Sequence, residues 1–146
     1  MSHHTPAFFA ASYLVLLRND LVLLQLRSHT GWMDNFWGLP AGHVEGTESM
    51  SGAIRREAKE EIHIELLDAD TKLAHVMHRV STDRVYFDFF FIATVWNGEI
   101  QNVEPDKHDK LAWFQLNSLP PNTIPYIKRA IDRIGSGIFF SEDVTE

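Results

Sequence analysis

Residues 42–64 read GHVEGTESMSGAIRREAKEEIHI, and this stretch decides both the fold and the chemistry of the chain. Glu60 and Glu61 follow Glu57 after three and four residues, so a helix would hold the three carboxylates on one side within about one turn. Like charges this close repel each other in a helix by about 0.2 to 0.5 kcal/mol per pair. The cluster therefore indicates a bound cation, and Mg²⁺ or Mn²⁺ prefers such oxygen ligands.

The opposite face of the same segment predicts a helix that packs on a core. Met50, Ile54 and Ala58 recur at four-residue spacing, which is typical of an apolar helical face. The residues at 47–49 are Thr, Glu and Ser, and each of them could cap the helix N-terminus. The segment is thus predicted to be an amphipathic helix with an acidic outer side.

The spacing of the segment resembles a family signature, the Nudix box Gly-x5-Glu-x7-Arg-Glu-U-x-Glu-Glu-x-Gly-U, in which U is a bulky apolar residue. The matching residues are Gly42, Glu48, Arg56, Glu57, Glu60, Glu61 and Ile64. Upstream, residues 36–42 (FWGLPAG) are similar to the Trp-x-Leu-Pro-Gly-Gly sequence that precedes the box. A solvated acidic helix would not need glycine and glutamate at these fixed offsets, so the match favours membership of the family.

Three positions depart from the family pattern. Ala58 is smaller than the usual apolar residue, Ala41 replaces one glycine, and His63 stands where the family has its last glycine. Glycine at a helix exit commonly adopts the left-handed conformation, which costs another residue about 1 kcal/mol. His63 is therefore predicted to end the helix under modest strain, whereas the carboxylate face is intact.

The resemblance implies an α/β fold, the Nudix-type α/β/α sandwich, in which a mixed β-sheet lies between helices and the box forms a loop-helix-loop motif. It also implies Mg²⁺-dependent hydrolysis of a phosphoanhydride, with Mn²⁺ as an alternative cofactor. The substrate would be a nucleoside triphosphate or a nucleoside diphosphate linked to another group. The products would be a nucleoside monophosphate plus pyrophosphate or the phosphorylated group.

By position in the motif, several residues take expected roles. The metal ligands implied by the resemblance are the Ala41 carbonyl, Glu57, Glu60 and Glu61. The structural residues of the motif are Gly42, Glu48 and Arg56, the last two as an ion pair between loop and helix. Two general bases are open: Glu57 itself, or Glu104 in the loop 102–109, which resembles a loop that supplies an extra carboxylate in relatives.

Substrate contacts are predicted at three arginines. Arg27 ends the second predicted strand, where some relatives place an arginine on the substrate phosphate, and Arg79 and Arg84 flank a predicted hairpin. Aromatic residues at 86–89 could stack on a base, although aromatic side chains that alternate along a strand more often belong to a core.

Two alternatives to an enzyme are open. A Nudix-fold nucleotide sensor would bind without turnover, although degenerate carboxylates would be expected there and all three glutamates are present. An acidic interaction or calcium-binding module could mimic the spacing by chance, but it would not depend on Gly42 and Arg56. An intact set of acids favours the enzyme.

Composition sets the remaining expectations. The 146 residues suit one domain, 1–146, and 45% of them are hydrophobic, which is enough for a core. The net charge of −7 argues against stable nucleic-acid binding, so the expected partner is a small nucleotide, bound by a monomer or a homodimer. The chain contains no cysteine, residues 1–6 lack a signal-peptide pattern, and no apolar run is long enough for a membrane span. A cytoplasmic location is expected.

Periodicity predicts the other elements of the fold. The predicted strands are Phe8–Leu17, Leu21–Leu26, Lys72–Val80, Arg84–Trp96 and Lys110–Gln115, and a second helix is predicted over Ile124–Ile134. The acidic tail 141–146 is expected to fray.

Overall fold

The strand that organises the fold is β1, Ala7–Arg18, in which residues 11–16 are all buried. A computed structural model describes residues 7–144 of the chain. The other strands are β2 (Leu21–Arg27), β3 (Trp37–Gly38), β4 (Ala41–His43), β5 (Lys72–Val80), β6 (Arg84–Ala93), β7 (His108–Gln115) and β8 (Phe140–Val144). The helices are α1 (Met50–Ile62), α2 (Pro125–Gly135) and a single 3₁₀ turn at Asp68–Asp70.

The strands form one mixed sheet in the order β3-β2-β1-β6-β5-β8, with β4 paired to β1 and β7 paired to β2. The β1–β6 and β5–β8 pairs are parallel, and the other strand pairs are antiparallel. Strands β1 and β2 pair only next to their turn, at Leu17–Val22 and Arg18–Leu21. Beyond that point they separate, and the segment 37–43 crosses from β2 to β1. This opening positions the candidate site.

The two helices cover opposite faces of the sheet. On one face, α1 buries Ile54, Ala58 and Ile62 in a cluster with Leu14 and Leu16 of β1. On the other face, α2 packs over a second cluster. Its buried members include Tyr13, Met77, Phe90, Ile127, Ala130 and Ile131. Since apolar side chains alternate between the two faces of β1, both clusters are anchored on the same strand. The predicted α/β/α sandwich is confirmed.

Local signals account for the bounds of α1. The Ser49 hydroxyl accepts a hydrogen bond from the Gly52 N–H at 2.9 Å, so it is the N-cap. The helix ends at His63, whose φ of 63° and ψ of 31° are left-handed, and whose N–H donates to the carbonyls of Ala58 and Lys59. The predicted strained exit is confirmed. Ala58 is fully buried, so its small size suits close packing on the sheet.

Several predicted bounds were wrong by a few residues. Strand β6 ends at Ala93 rather than Trp96, because Trp96 leaves the sheet to stack on Trp113 with 6.2 Å between ring centroids. Helix α2 begins one residue late because Pro125 occupies its first turn. Strand β7 begins at His108, two residues early. The short strands β3 and β4 were not predicted, since glycine and proline obscure their pattern.

The prediction of a frayed tail at 141–146 was wrong for the residues up to 144. Phe140–Val144 forms β8, which pairs in parallel with β5 at the sheet edge. Asp143 is buried and accepts hydrogen bonds from Arg129 at 2.6 Å and Arg133 at 2.7 Å, so β8 is fastened to α2. The last two residues of the predicted tail, 145–146, lie outside the described residues.

No helix within residues 7–144 combines the length and apolar character that a membrane crossing requires.

Candidate active site

The acidic face of α1 divides into a buried and an exposed part. The Glu61 side chain is 7% exposed and that of Glu57 14%, whereas that of Glu60 is 56% exposed. Positions 57 and 61 face strand β4, because Gly42 lies against Glu57 and the Ala41 N–H donates to Glu61, whereas position 60 faces outward. The three predicted metal ligands therefore do not share one environment.

Strand β4 lies directly against this carboxylate pair. Gly42 touches Glu57 so closely that a Cβ atom at position 42 would overlap the Glu57 carboxylate. The next residue upstream, Ala41, donates its N–H to Glu61 Oε2 at 3.0 Å. The group of Ala41 that touches Glu61 is thus its amide N–H, whereas the family resemblance implies a role for its carbonyl. The absence of a side chain at position 42 makes room for Glu57.

The two inward carboxyl groups lie in surroundings that disfavour their negative charge. Burial raises the pKa of Glu61 well above its usual value, and the nearby charge of Glu57 raises it further. Burial also raises the pKa of Glu57, against the lowering effect of Arg56. Paired carboxylates in a buried setting are stabilised by a divalent cation, and carboxylate oxygens are the donors that Mg²⁺ prefers. The donor set therefore fits such an ion.

Arg56 joins the loop to the helix. Its Nε and Nη2 atoms donate to both oxygens of Glu48, at 3.1 and 2.8 Å, and Nη2 also donates to the His43 carbonyl at 3.2 Å. Its Nη1 atom donates to Glu57 at 2.8 Å and to Glu60 at 3.1 Å. Hydrogen bonding from Arg56 lowers the pKa of Glu48 to about 2. One guanidinium thus holds the loop and orients the acidic face.

A further carboxylate, that of Glu104, approaches Glu61 of α1 from the loop before β7. Glu61, Glu104 and His108 each offer one ligand atom, and these atoms lie within 4.8 Å of one another. His108 is 5% exposed, and its Nε2 lies 3.8 Å from Glu61 Oε1. Burial and the charges of Arg27 and Lys107 lower the pKa of His108 to about 4. Glu104 is thus placed beside the carboxylate pair, together with a histidine that the sequence analysis did not single out.

A cavity of about 830 Å³ lies on β4, and it is lined by Ala41 and Gly42, the residues that touch Glu61 and Glu57, rather than by the carboxylates themselves. Its wall includes residues 38–39 and 41–43 and the three arginines expected to contact substrate, Arg27, Arg79 and Arg84. A fourth arginine, Arg129 of α2, also lines it and was not predicted. These arginines come from β2, β5, β6 and α2, and the cavity collects them in a protein whose net charge is −7. The cavity is suited to an anionic ligand.

Arg79 is the most firmly held of these arginines. Its Nε donates to the buried Asp88 at 2.7 Å, and its guanidinium carbon lies 4.1 and 3.9 Å from the ring centroids of Tyr86 and Tyr126. Burial opposes the charge, but the hydrogen bond and charge of Asp88, together with Tyr126 and Tyr13, outweigh burial and raise the pKa of Arg79. The Tyr126 hydroxyl is also hydrogen-bonded to that of Tyr13 at 2.8 Å. A rigid, permanently charged donor therefore stands in the cavity wall.

The other two predicted arginines are held more loosely. Arg27 donates to the Trp32 carbonyl at 2.9 Å and lies 5.0 Å from the centroid of that indole. Arg84 is exposed and lies 5.5 Å from the Phe9 ring centroid. Of the aromatic residues at 86–89, Tyr86 is the one that lines the cavity.

Comparison with known proteins places this arrangement in a family. A sequence model of the NUDIX domain matches residues 8–134. The chain is 30% identical over 108 residues to the uncharacterized Nudix hydrolase YvcI of Bacillus subtilis, and the match spans 72% of this chain and 65% of YvcI. It is 32% identical over 93 residues to an 8-oxo-dGTP diphosphatase of Proteus vulgaris, spanning 62% of this chain and 79% of that protein.

A solved structure agrees with the sequence matches. The MutT NUDIX hydrolase from Burkholderia pseudomallei is 28% identical and superposes with a TM-score of 0.78, which covers 86% of this chain and 96% of that one.

Proposed function

This chain belongs to the Nudix family, and from that premise we propose that it is a Mg²⁺-dependent pyrophosphohydrolase that cleaves a phosphoanhydride in a nucleotide. The observation that carries the proposal is the buried Glu57–Glu61 pair, which lies against β4 at the wall of an arginine-lined cavity. A cation site and an anion site thus adjoin each other. That combination suits a phosphate substrate better than either site alone.

Glu57 and Glu61 would hold the cation, with Glu60 reaching it from the outer side of α1 and the Ala41 carbonyl as a further ligand. When bound, the ion neutralises phosphoryl charge and makes water more acidic. The carboxylates themselves fix its position, because Arg56 and the Ala41 N–H hold Glu57 and Glu61 from two sides. Mn²⁺ could replace Mg²⁺ with the same oxygen ligands.

The arginines would bind the phosphate chain. Arg79 requires little reorganisation, since Asp88 and two tyrosine rings already fix its guanidinium. Arg27 and Arg84 stand elsewhere on the cavity wall and would contact more distant parts of the substrate. Hydrolysis then forms a bond between the water oxygen and phosphorus, breaks the bridging P–O bond, and passes a water proton to a carboxylate.

Two carboxylates are candidates for that proton. Glu57 already accepts a hydrogen bond from Arg56 Nη1, whereas Glu104 pairs with Lys107 at 3.3 Å and adjoins Glu61. Replacement by glutamine separates the roles. Loss of a ligand weakens metal affinity and is partly reversed by high Mg²⁺, while loss of a base is not and removes the acidic limb of the pH-rate profile.

The substrate is proposed to be a nucleoside triphosphate or a nucleoside diphosphate linked to another group. The match to a protein named 8-oxo-dGTP diphosphatase makes an oxidised purine triphosphate the first compound to test. A reducing, cytoplasmic setting suits a chain without cysteine. The competing proposal is a nucleotide sensor that shares the cavity but does not turn substrate over.

The deciding experiment is a substrate screen with and without Mg²⁺, with products resolved by chromatography. It should include 8-oxo-dGTP, the ordinary triphosphates and several nucleoside diphosphate conjugates. We expect metal-dependent release of a monophosphate plus pyrophosphate from a triphosphate, and loss of that release in Glu61→Gln. Orthophosphate as the sole first product would contradict the proposed bond cleavage. Tight nucleotide binding without any product would favour the sensor.

A further inference from the structure

We propose that two copies of this chain associate through an uncovered apolar part of the sheet, which is named here the β8 face. Its members lie on β1, β5, β6 and β8, on the side of the sheet that carries α1. They are Phe8, His78, Phe87, Phe140, Glu142 and Val144. None of these six residues lines the arginine-lined cavity, so the β8 face is separate from the candidate active site.

The register of the strands places these side chains next to one another. Phe87 of β6 pairs with His78 of β5, and His78 pairs with Glu142 of β8. The Phe87 ring stacks between the rings of Phe8 and His78, whose centroids lie 6.2 and 5.3 Å from its own. Phe87 lies four residues before Phe91, which packs in the cluster under α1, so these side chains project from the same side of the sheet as α1.

Strand β8 extends this surface to the edge of the sheet. Phe140 and Val144 lie two residues before and after Glu142, so the three side chains share one face of the strand. Within residues 7–144, β8 is the last strand in the order of the sheet. An edge strand that also exposes large apolar side chains is prone to association with another chain.

The apolar members of the β8 face are substantially exposed to solvent. Phe8 is 59% exposed, Phe87 37%, Phe140 53% and Val144 65%. Residues 138–139, an isoleucine and a phenylalanine that lead into β8, are exposed as well. Six of the ten exposed large apolar side chains within residues 7–144 therefore lie at this one corner of the molecule.

The exposed area matches what a stable dimer buries. Because a buried aromatic side chain contributes about 150 to 250 Å², the six partly exposed side chains amount to roughly 600 Å² of apolar surface on one copy. A monomer commonly leaves about 300 to 600 Å² in its largest apolar patch, so this value is at the upper end. Burial of the same surface on two copies removes about 1,200 Å² from water, which reaches the range of stable interfaces before any polar rim is counted.

The polar members of the β8 face favour a second copy as the occupant. His78 Nδ1 lies 3.7 Å from Glu142 Oε2, which is too long for a hydrogen bond. A two-fold axis through the centre of the face brings His78 against Glu142 of the partner subunit, and the same contact forms twice. The six members include no lysine or arginine, so an anionic membrane or a nucleic acid would meet the Glu142 carboxylate without a compensating cation.

The first test measures mass in solution. Sedimentation velocity of the full chain without nucleotide should give twice the mass of the chain at micromolar concentrations. Val144→Asp should raise the dissociation constant at least about tenfold, because the two-fold axis places the new charge in the interface twice. Val95→Asp is the matched control, since Val95 is 56% exposed but lies beyond the end of β6, outside the β8 face, and it should leave association unchanged. Circular dichroism checks that both variants fold.

The second test locates the surface with a disulfide. The chain contains no cysteine, so Glu142→Cys places a single thiol near the proposed two-fold axis. Mild oxidation should link two copies of Glu142→Cys much faster than two copies of Val95→Cys.

Three results would each overturn the inference. They are a wild type that stays monomeric up to about 100 µM, a folded Val144→Asp that associates as tightly as the wild type, and linkage that is no faster in Glu142→Cys than in Val95→Cys. The wild-type mass does not depend on the folding of any variant. None of these measurements requires nucleotide hydrolysis, so their outcome is independent of the proposed function.

Discussion

The contact between Gly42 and Glu57 makes Gly42→Ala an informative substitution. A Cβ atom at position 42 would lie 2.7 Å from Glu57 Cγ and closer still to the carboxylate. Ordinary contact between carbon atoms begins at about 3.5 Å, so the Glu57 side chain has to move by about 1 Å or more. The backbone at Gly42 is not left-handed, so alanine can adopt its conformation, and the three atoms nearest to the added Cβ all belong to Glu57.

The expected result is loss of activity with the fold retained. Displacement of a catalytic group by about 1 Å can cost about 10²-fold in rate. We therefore expect Gly42→Ala to lower kcat by about that factor at saturating Mg²⁺. Its thermal unfolding should change little, since the displaced carboxylate ends a flexible side chain. The assay is release of nucleoside monophosphate from the best substrate of the screen, alongside circular dichroism during heating.

Two companion variants sharpen this measurement. Gly135→Ala is the matched control, because a Cβ at the end of α2 would meet nothing within 4 Å, and it should keep full activity. In a Glu57→Asp background the carboxylate is retracted by one methylene, so adding Gly42→Ala should cost less than it does in the wild type. A folded Gly42→Ala enzyme with a kcat within about threefold of the wild type would refute the reasoning.

Three further predictions concern α1 and its flanks. Glu61→Gln should abolish most turnover without lowering the melting temperature, because it removes a buried carboxylate beside another carboxylate. Glu60→Gln, at an exposed position, should lower turnover less, and the reverse order would contradict the ligand assignment. His63→Gly should raise the free energy of unfolding in urea by up to about 1 kcal/mol, and a fall would show that the imidazole makes contacts that glycine cannot replace. The pKa of Glu48 is lowered from 4.5 to about 2, so its stabilising effect is present above pH 4.5 and is lost as the pH falls to about 2. The stability difference between wild type and Glu48→Gln should shrink over that interval, and a constant difference would exclude the pairing with Arg56 as its source.

The parts of this molecule that could be predicted from sequence are those set by neighbouring residues. The bounds of α1 follow from a capping hydroxyl at Ser49, from an apolar stripe and from an exit at His63, all of which are local signals. The carboxylate face follows from helical spacing in the same way. The hairpin of β1 and β2 was likewise indicated by apolar, β-prone runs at Phe8–Leu17 and Leu21–Leu26 on either side of the turn-forming residues 18–20.

The rest depends on contacts between distant segments. The tail 141–146 (SEDVTE) was expected to fray because it is acidic and terminal. Asp143 is nevertheless paired with Arg129 and Arg133, whose positions on α2 only the folded structure brings close. His108 was overlooked because a lone histidine in a polar loop carries no signal until β7 brings it to Glu61. A single sequence does not show which side chains meet across a sheet.

The parallel pairings described above also have consequences for how the protein is made. Ala7 pairs with Arg84, and Val76 pairs with Phe140, so the sheet joins segments that leave the ribosome far apart in time. At about 5 to 20 residues per second, the interval between completion of β6 and arrival of β8 is roughly 2 to 10 s. During that interval β5 has an open edge, and α2, once it is made, lacks the partner for its arginines until β8 follows. Such long-range pairing slows folding and leaves intermediates prone to aggregation. The yield of active protein therefore depends on preventing aggregation of the nascent chain until β8 has paired with β5.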